Sequence, residues 1–276
     1  MYGPDIVART VSKPTRRGKK RRAWQYHGRS DVHSKIACWA VLFDLLDSCD
    51  VFADHAAQGK VSFAVNHLLV GPISKKLDLV VCKIPKRRKA SSRRTFAQVG
   101  AHFGIQLSAD EREILNALPT MAEELSSDVS EVLVALEAKA CFTDHVGAMP
   151  RLHAEILATG YLAKQAARRC ITVSYTLVNG ARTFVSPGKR GTVKQHNQPH
   201  DAEVVLGMLG RAIPRAHDQP RFGYDVIGAS LIDCNNDGSP VLVINAPPAP
   251  QATDFIYYER MIHTLCSDYR SKFGRR

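Results

Sequence analysis

The sequence predicts an α/β fold, a mixed sheet flanked by helices, on three observations. Short runs of β-branched and apolar residues recur along the chain, segments of helical spacing alternate with them, and Gly- or Pro-bearing turns separate the two kinds. The 276 residues can bury a full core without a disulfide or metal staple. With 45% hydrophobic and 23% charged residues, the chain has the balance of a soluble globular protein. No apolar run approaches the roughly 18 residues of a membrane span, so no membrane association is expected. The polar, basic start lacks a secretory pattern and implies an intracellular location.

Residues 1–22 lack hydrophobic periodicity and read as a flexible basic arm, leaving 23–276 as a single domain. Behind a Ser30 or Asp31 cap, Val32, Ile36, Trp39, Ala40, Phe43 and Leu46 fall at helical spacing. The stretches 60–71 and 75–85 read as strands joined in a hairpin across Gly71-Pro72. Residues 86–129 form an insertion that must loop out, with a capping box at Ser108 and Glu111 opening a helix that breaks at Pro119. A strand over 130–139 precedes a helix from Thr143 or Asp144 to Ala158 and another strand over 169–180. After a polar loop (181–200) come a helix (201–213) and two strands (224–234 and 240–248) around the NNDG turn. A closing helix then puts Phe255, Tyr258, Met261, Ile262 and Leu265 on its inner face.

Seven cysteines, at 38, 49, 82, 141, 170, 234 and 266, lie mostly inside apolar runs with no CxxC pair, a pattern that predicts reduced, buried thiols. His196 and His200 have a spacing that could ligate zinc, but they lack cysteine partners and fall in the polar loop. The strongest bulk signal is the formal charge of +12. Seven of the ten residues at 13–22 and seven of the twelve at 83–94 are Lys or Arg, which points to a polyanionic partner, DNA or RNA. Candidate phosphate contacts are Lys19, Arg21 and Arg22 in the first run and Arg87 and Arg88 in the second. Lys189 and Arg190, with Lys194 nearby, are further candidates in a Gly-rich basic loop.

The stretch SEVLVALEAK runs through apolar residues and then sets Glu137 and Lys139 two positions apart. Strand alternation sends both side chains to one face, with the Ala138 carbonyl beside them, and Asp78 joins them if the strand from Leu77 lies alongside. Two carboxylates and a carbonyl make a hard-oxygen site for magnesium, and a lysine can hold or deprotonate water and offset negative charge. That chemistry suits phosphodiester hydrolysis. Following this candidate site, Asp144, His145, Arg151 and His153 could touch phosphate, although a helix cap and a solvated face account for them equally.

The motifs LDLVV (Asp78) and LVALEAK (Glu137, Lys139), in the order helix, hairpin, third strand, helix, strand, resemble the PD-(D/E)XK nuclease superfamily, to which many type II restriction endonucleases belong. The likeness spans roughly residues 30–180, and Leu77 stands where the motif name has proline. It implies a restriction-endonuclease-like fold and a Mg2+-dependent DNA endonuclease, with Mn2+ as a substitute. In that reading Asp78, Glu137 and the Ala138 carbonyl are metal ligands, and Asp78, Glu137 and Lys139 form the catalytic group. It also implies that a polar residue near the start of the first helix, Asp31, His33 or Lys35, reaches the metal region. The expected partner is double-stranded DNA, with a homodimer favoured for cutting both strands. The expected place is the prokaryotic cytoplasm with its nucleoid, or the nucleus if the source is eukaryotic. Two rivals stand beside it: a junction resolvase or repair nuclease on the same core, and a non-catalytic nucleic-acid-binding protein.

Overall fold

The computed structural model describes residues 1–16, 22–70, 73–84, 93–187, 191–212 and 223–274. The chain opens with α1 (Gly3–Val11), the two-residue strands β1 (Thr15–Arg16) and β2 (Ala23–Trp24), α2 (Val32–Ser48) and α3 (Asp50–Ala57). A hairpin follows, β3 (Val61–Leu69) and β4 (Lys75–Lys83), then α4 (Phe96–His102), α5 (Ala109–Ala117) and β5 (Val132–Cys141). Next come α6 (His145–Ala166), β6 (Ile171–Asn179), β7 (Thr183–Ser186), β8 (Thr192–Gln195) and α7 (His200–Arg211). Strands β9 (Val226–Asp233) and β10 (Leu242–Ile244) and helix α8 (Tyr258–Phe273) complete the order.

Six strands form one mixed sheet in the order β10-β9-β6-β5-β4-β3. The pairs β3–β4, β4–β5 and β9–β10 are antiparallel, while β5–β6 and β6–β9 are parallel. Such a sheet needs cover on both faces, and β6 is accordingly buried along its whole length. One face meets α2, whose Trp39, Phe43 and Leu46 share a core with Ile6 of α1 and Met261 and Leu265 of α8. The other meets α6 and α7 through Leu152, Ile156, Val205 and Leu209. Among the described residues no helix is long and apolar enough to cross a membrane.

Several expectations need correction. Part of the supposed flexible arm is α1, with Ile6 and Val7 fully buried and its first amides, those of Tyr2 and Gly3, donating to the buried Asp44 carboxylate of α2. The described part of the insertion, 93–129, does not loop out: the Phe96 carbonyl accepts from the Trp39 indole, their rings stack at 4.5 Å, and Glu124 N–H donates to the Phe63 carbonyl. Within it, α5 has the expected capping box, and α4 has a second one at Thr95 and Gln98. The polar loop holds the β7–β8 hairpin, and α6 runs eight residues past the expected stop at Ala158. Phe255 precedes α8 and is 66% exposed rather than inward. Not all thiols are reduced: Cys49, at the α2–α3 junction, is disulfide-bonded to Cys266 of α8, while the other five are free and buried.

Two glycines report how tightly α6 is seated. A Cβ at Gly160 would collide with the Gly223 carbonyl at the approach to β9, whereas one at Gly210 in α7 would meet nothing within 4 Å. Alanine is worth about 0.5–1 kcal/mol over glycine in a helix, but a forced clash costs about 1–3 kcal/mol, more when the obstacle is backbone. Gly160→Ala is therefore expected to lower the urea midpoint and Gly210→Ala to raise it. Equal shifts in one direction would contradict this seating.

Candidate active site

Strands β4 and β5 pair from Cys82 and Val132 up to Leu79 and Leu136, and there the backbone ladder stops. Asp78 takes over with its side chain, Oδ2 accepting from the Ala138 N–H at 3.0 Å. A strand residue points its N–H and C=O toward the same neighbour, so the Ala138 carbonyl turns to this edge as well. Alternation then sets Leu136 and Ala138 into the α2 core and turns Glu137 and Lys139 to the opposite face, toward α6. Lys139 Nζ donates to Glu137 Oε1 at 2.8 Å.

Charges alternate through the site. Asp78 Oδ1 accepts from Ser34 Oγ at 3.0 Å and from the Lys35 ammonium, both on the first turn of α2. Glu137 Oε1 also lies 3.2 Å from Lys75 Nζ at the start of β4. Lys139 reaches Glu155 Oε2 on α6 at 2.9 Å, and Glu155 Oε1 accepts from Arg151 Nε at 2.7 Å. Burial alone would lower the Lys139 pKa, but the Glu137 and Glu155 carboxylates outweigh it and hold the group above its ordinary value. Burial would raise Glu155, yet its bonds to Arg151 and Lys139 prevail and hold it below. Glu137 is 4% exposed, and its Oε2 is buried without a hydrogen-bond partner among the described residues.

These groups face a cleft of about 470 Å³ whose lining includes Tyr26, Asp31, His33, Asp78, Lys139 and Arg151. Tyr26 stacks on Phe142 at 4.2 Å and lies 4.3 Å from the His33 ring. Its backbone is held by the Asn236 side chain, which accepts from Tyr26 N–H at 2.9 Å and donates to its carbonyl at 3.0 Å. Burial pushes the Tyr26 hydroxyl up to about 12 and His33 down to about 4, against the pull of Asp31 and Asp78.

No protein-family model matches this chain, and no curated protein or solved structure matches it.

Of the residues singled out from sequence, Asp78, Glu137, Ala138 and Lys139 come together, and Asp31, His33 and Arg151 line the same cleft. Lys35 joins through Asp78. His145 does not belong with them: it is buried at the start of α6, with Nε2 on the Asn179 carbonyl at 2.7 Å and its ring 4.7 Å from His196. That placement follows from helical spacing, which puts His145 on the buried stripe of α6 with Met149, Leu152 and Ile156. Asp144 caps α6 through the Gly147 N–H, and His153 is exposed. His196 pairs with His145 rather than with His200. Among the described residues no three or more His, Cys, Asp or Glu are gathered to hold a metal ion; the site offers two carboxylates and a carbonyl. Of the candidate phosphate contacts, Arg22 is exposed, with its guanidinium 4.5 Å over the Trp24 ring, and Lys194 is exposed on β8. Lys19, Arg21, Arg87, Arg88, Lys189 and Arg190 lie outside the described residues.

Sequence reasoning missed Glu155, Lys75 and Tyr26. Glu155 had a signal, since the i, i+4 pair with Arg151 lies beside Leu152 and Ile156 on a helical stripe.

His33 gives a pH test. Its folded pKa of about 4 lies below the ordinary 6.5, so between those values the unfolded chain takes up a proton that the folded chain refuses. Stability is therefore lost as pH falls through this window, by about 3 kcal/mol from this group at 1.36 kcal/mol per pKa unit. His33→Gln removes that component, so urea denaturation from pH 7 to 4.5 should find the gap between wild type and variant narrowing toward acid. A gap independent of pH would contradict a neutral, buried imidazole.

Proposed function

We propose that this chain is a metal-dependent endodeoxyribonuclease with a restriction-endonuclease-like core, and that its cleft at the β4–β5 edge hydrolyses phosphodiester bonds. The observation carrying this reading is the Asp78–Ala138 hydrogen bond, which puts two carboxylates, a carbonyl and a lysine at one strand end. The order α2, β3, β4, β5, α6, β6, interrupted by α3 before β3 and by α4 and α5 before β5, with two antiparallel pairings and then a parallel one, supports it. So does the net positive charge.

The donor set fits Mg2+. Asp78, Glu137 and the Ala138 carbonyl are hard oxygens, and the unpartnered Glu137 Oε2 is a buried acceptor in want of a cation. When bound, the metal supplies Lewis-acid polarisation of the phosphoryl oxygen and neutralises charge on the leaving group. Lys139, kept protonated by Glu137 and Glu155, acts as a donor that orients the attacking water and stabilises developing negative charge, rather than as a base. Arg151, exposed at the rim, meets the neighbouring phosphate. Double-stranded DNA is the proposed substrate, cut at both strands by a homodimer.

A second reading has an observation of its own. Lysines already counter both carboxylates, Lys35 at Asp78 and Lys75 with Lys139 at Glu137, as they would in a purely structural network of a nucleic-acid-binding protein. Incubating the protein with plasmid or phage DNA and magnesium, followed by end mapping, separates the two. Lys139→Ala is expected to slow cleavage about a hundredfold to a thousandfold while leaving DNA binding in place. A wild-type protein that binds DNA but cuts nothing with magnesium or manganese sinks the enzyme reading; discrete fragments from unbranched DNA exclude a junction resolvase.

A further inference from the structure

A second cleft, of about 490 Å³, adjoins the first, and the two share Ser30, Asp31 and His33 in their walls. Its lining includes Arg16, Trp24, His27, Arg29, His102 and Phe103. Arg16 and Arg29 are exposed, and neither forms an ion pair among the described residues. Among the described residues Asp31 is the one carboxylate in this lining. The half-buried Trp24 indole adds an aromatic surface, with Arg22 over its ring at 4.5 Å and Gly191 of the β7–β8 hairpin against it. Arg22, the last residue of the 13–22 run, is thereby brought beside Gly191, some 170 residues away in sequence.

Guanidinium groups without an ion pair among the described residues share this cleft with aromatic rings, and the cleft shares a wall with the candidate phosphodiester-cleaving site; the combination fits one ligand chemistry. Arginines pair with phosphate oxygens, and indole and phenyl rings receive a base regardless of its identity. A stacked base needs a face that duplex DNA keeps covered, so the nucleotide must be unpaired. We infer that this second cleft grips an unpaired nucleotide flanking the scissile phosphate, with Arg16 and Arg29 on its phosphates and Trp24 and Phe103 against its base. The inference takes its ligand class from the nuclease reading above. It adds that the strand leaves the catalytic cleft past Ser30 and His33 and is unstacked where it does so.

The test is binding in the absence of divalent metal, so that cleavage plays no part. The probes are a short fluorescein-labelled oligothymidylate and a labelled hairpin duplex, followed by anisotropy over a salt series. Replacing the exposed arginines, Arg16→Ala and Arg29→Ala, spares the core and is expected to lower the slope of log affinity against log salt by about 0.7 per arginine on the single strand. Trp24→Ala is expected to weaken the oligothymidylate about 5- to 100-fold at unchanged slope, and Trp24→Phe, which keeps a ring, to recover most of that loss. Wild-type affinity and slope in all variants would overturn the inference, and so would equal losses on single strand and duplex. If the protein cuts DNA while these variants bind like wild type, this cleft fails and the nuclease reading stands. If the variants lose the single strand in a chain that cuts nothing, the cleft stands and the nuclease reading fails.

Discussion

Past Leu79 and Leu136, the β4–β5 pairing is continued by a side chain instead of the backbone, and the candidate site is built on that substitution. Had β4 kept an ordinary ladder bond to Ala138, the strand end would be closed, with its donors and acceptors satisfied by one another. The Asp78 carboxylate takes the amide and leaves the carbonyl of the same residue facing the opening. It also ties α2 to the sheet through Ser34 and Lys35, so the first turn of that helix is fixed by the same group that shapes the cleft. A single carboxylate thus sets strand register, helix position and one wall of the site.

Across the cleft four cations, Lys35, Lys75, Lys139 and Arg151, face three carboxylates, Asp78, Glu137 and Glu155. Burying an unpaired charge is expensive, and alternation along Lys75, Glu137, Lys139 and Glu155, with the exposed Arg151 pairing Glu155 at the rim, offsets that penalty for the groups drawn out of bulk water. It does so incompletely at Glu137, where one oxygen has a lysine pair and the other has none. That imbalance is local, at an atom that borders the cleft rather than in the sheet interior, where β5 and β6 are closed by their backbone ladder.

The core strands were legible because a strand buried on both faces must be continuously apolar, as VLVAL is, and the departure from that rule at Glu137 and Lys139 marked the site. The α5 capping box was equally local. What stayed hidden was held by distant partners. Helix α1 is capped by Asp44, some forty residues onward, and its own start signals, Pro4 and Asp5 in the first turn, were overlooked. The Cys49–Cys266 bond joins residues 217 apart, a pairing that spacing cannot reveal. In the β7–β8 hairpin β8 is exposed along its length and β7 buries only Phe184, so the pair carries almost no alternating pattern. Lys75 and Tyr26 reach the site only through the sheet edge and the Asn236 turn, whereas the second capping box, Thr95 with Gln98, was present locally and overlooked.

The Asn236 turn has a consequence for how the molecule is made. Residues near both ends of the chain meet there. Asn236 holds the Tyr26 backbone, Gln25 Nε2 donates to the Ser239 carbonyl at 2.6 Å, and Val241 N–H donates to Ser12 Oγ at 2.8 Å. During biosynthesis the anchors of the Tyr26 segment are translated some two hundred residues after it. The candidate cleft therefore gains its aromatic wall only once the Asn236 turn has been made, so this wall is closed by a long-range step and not by local folding.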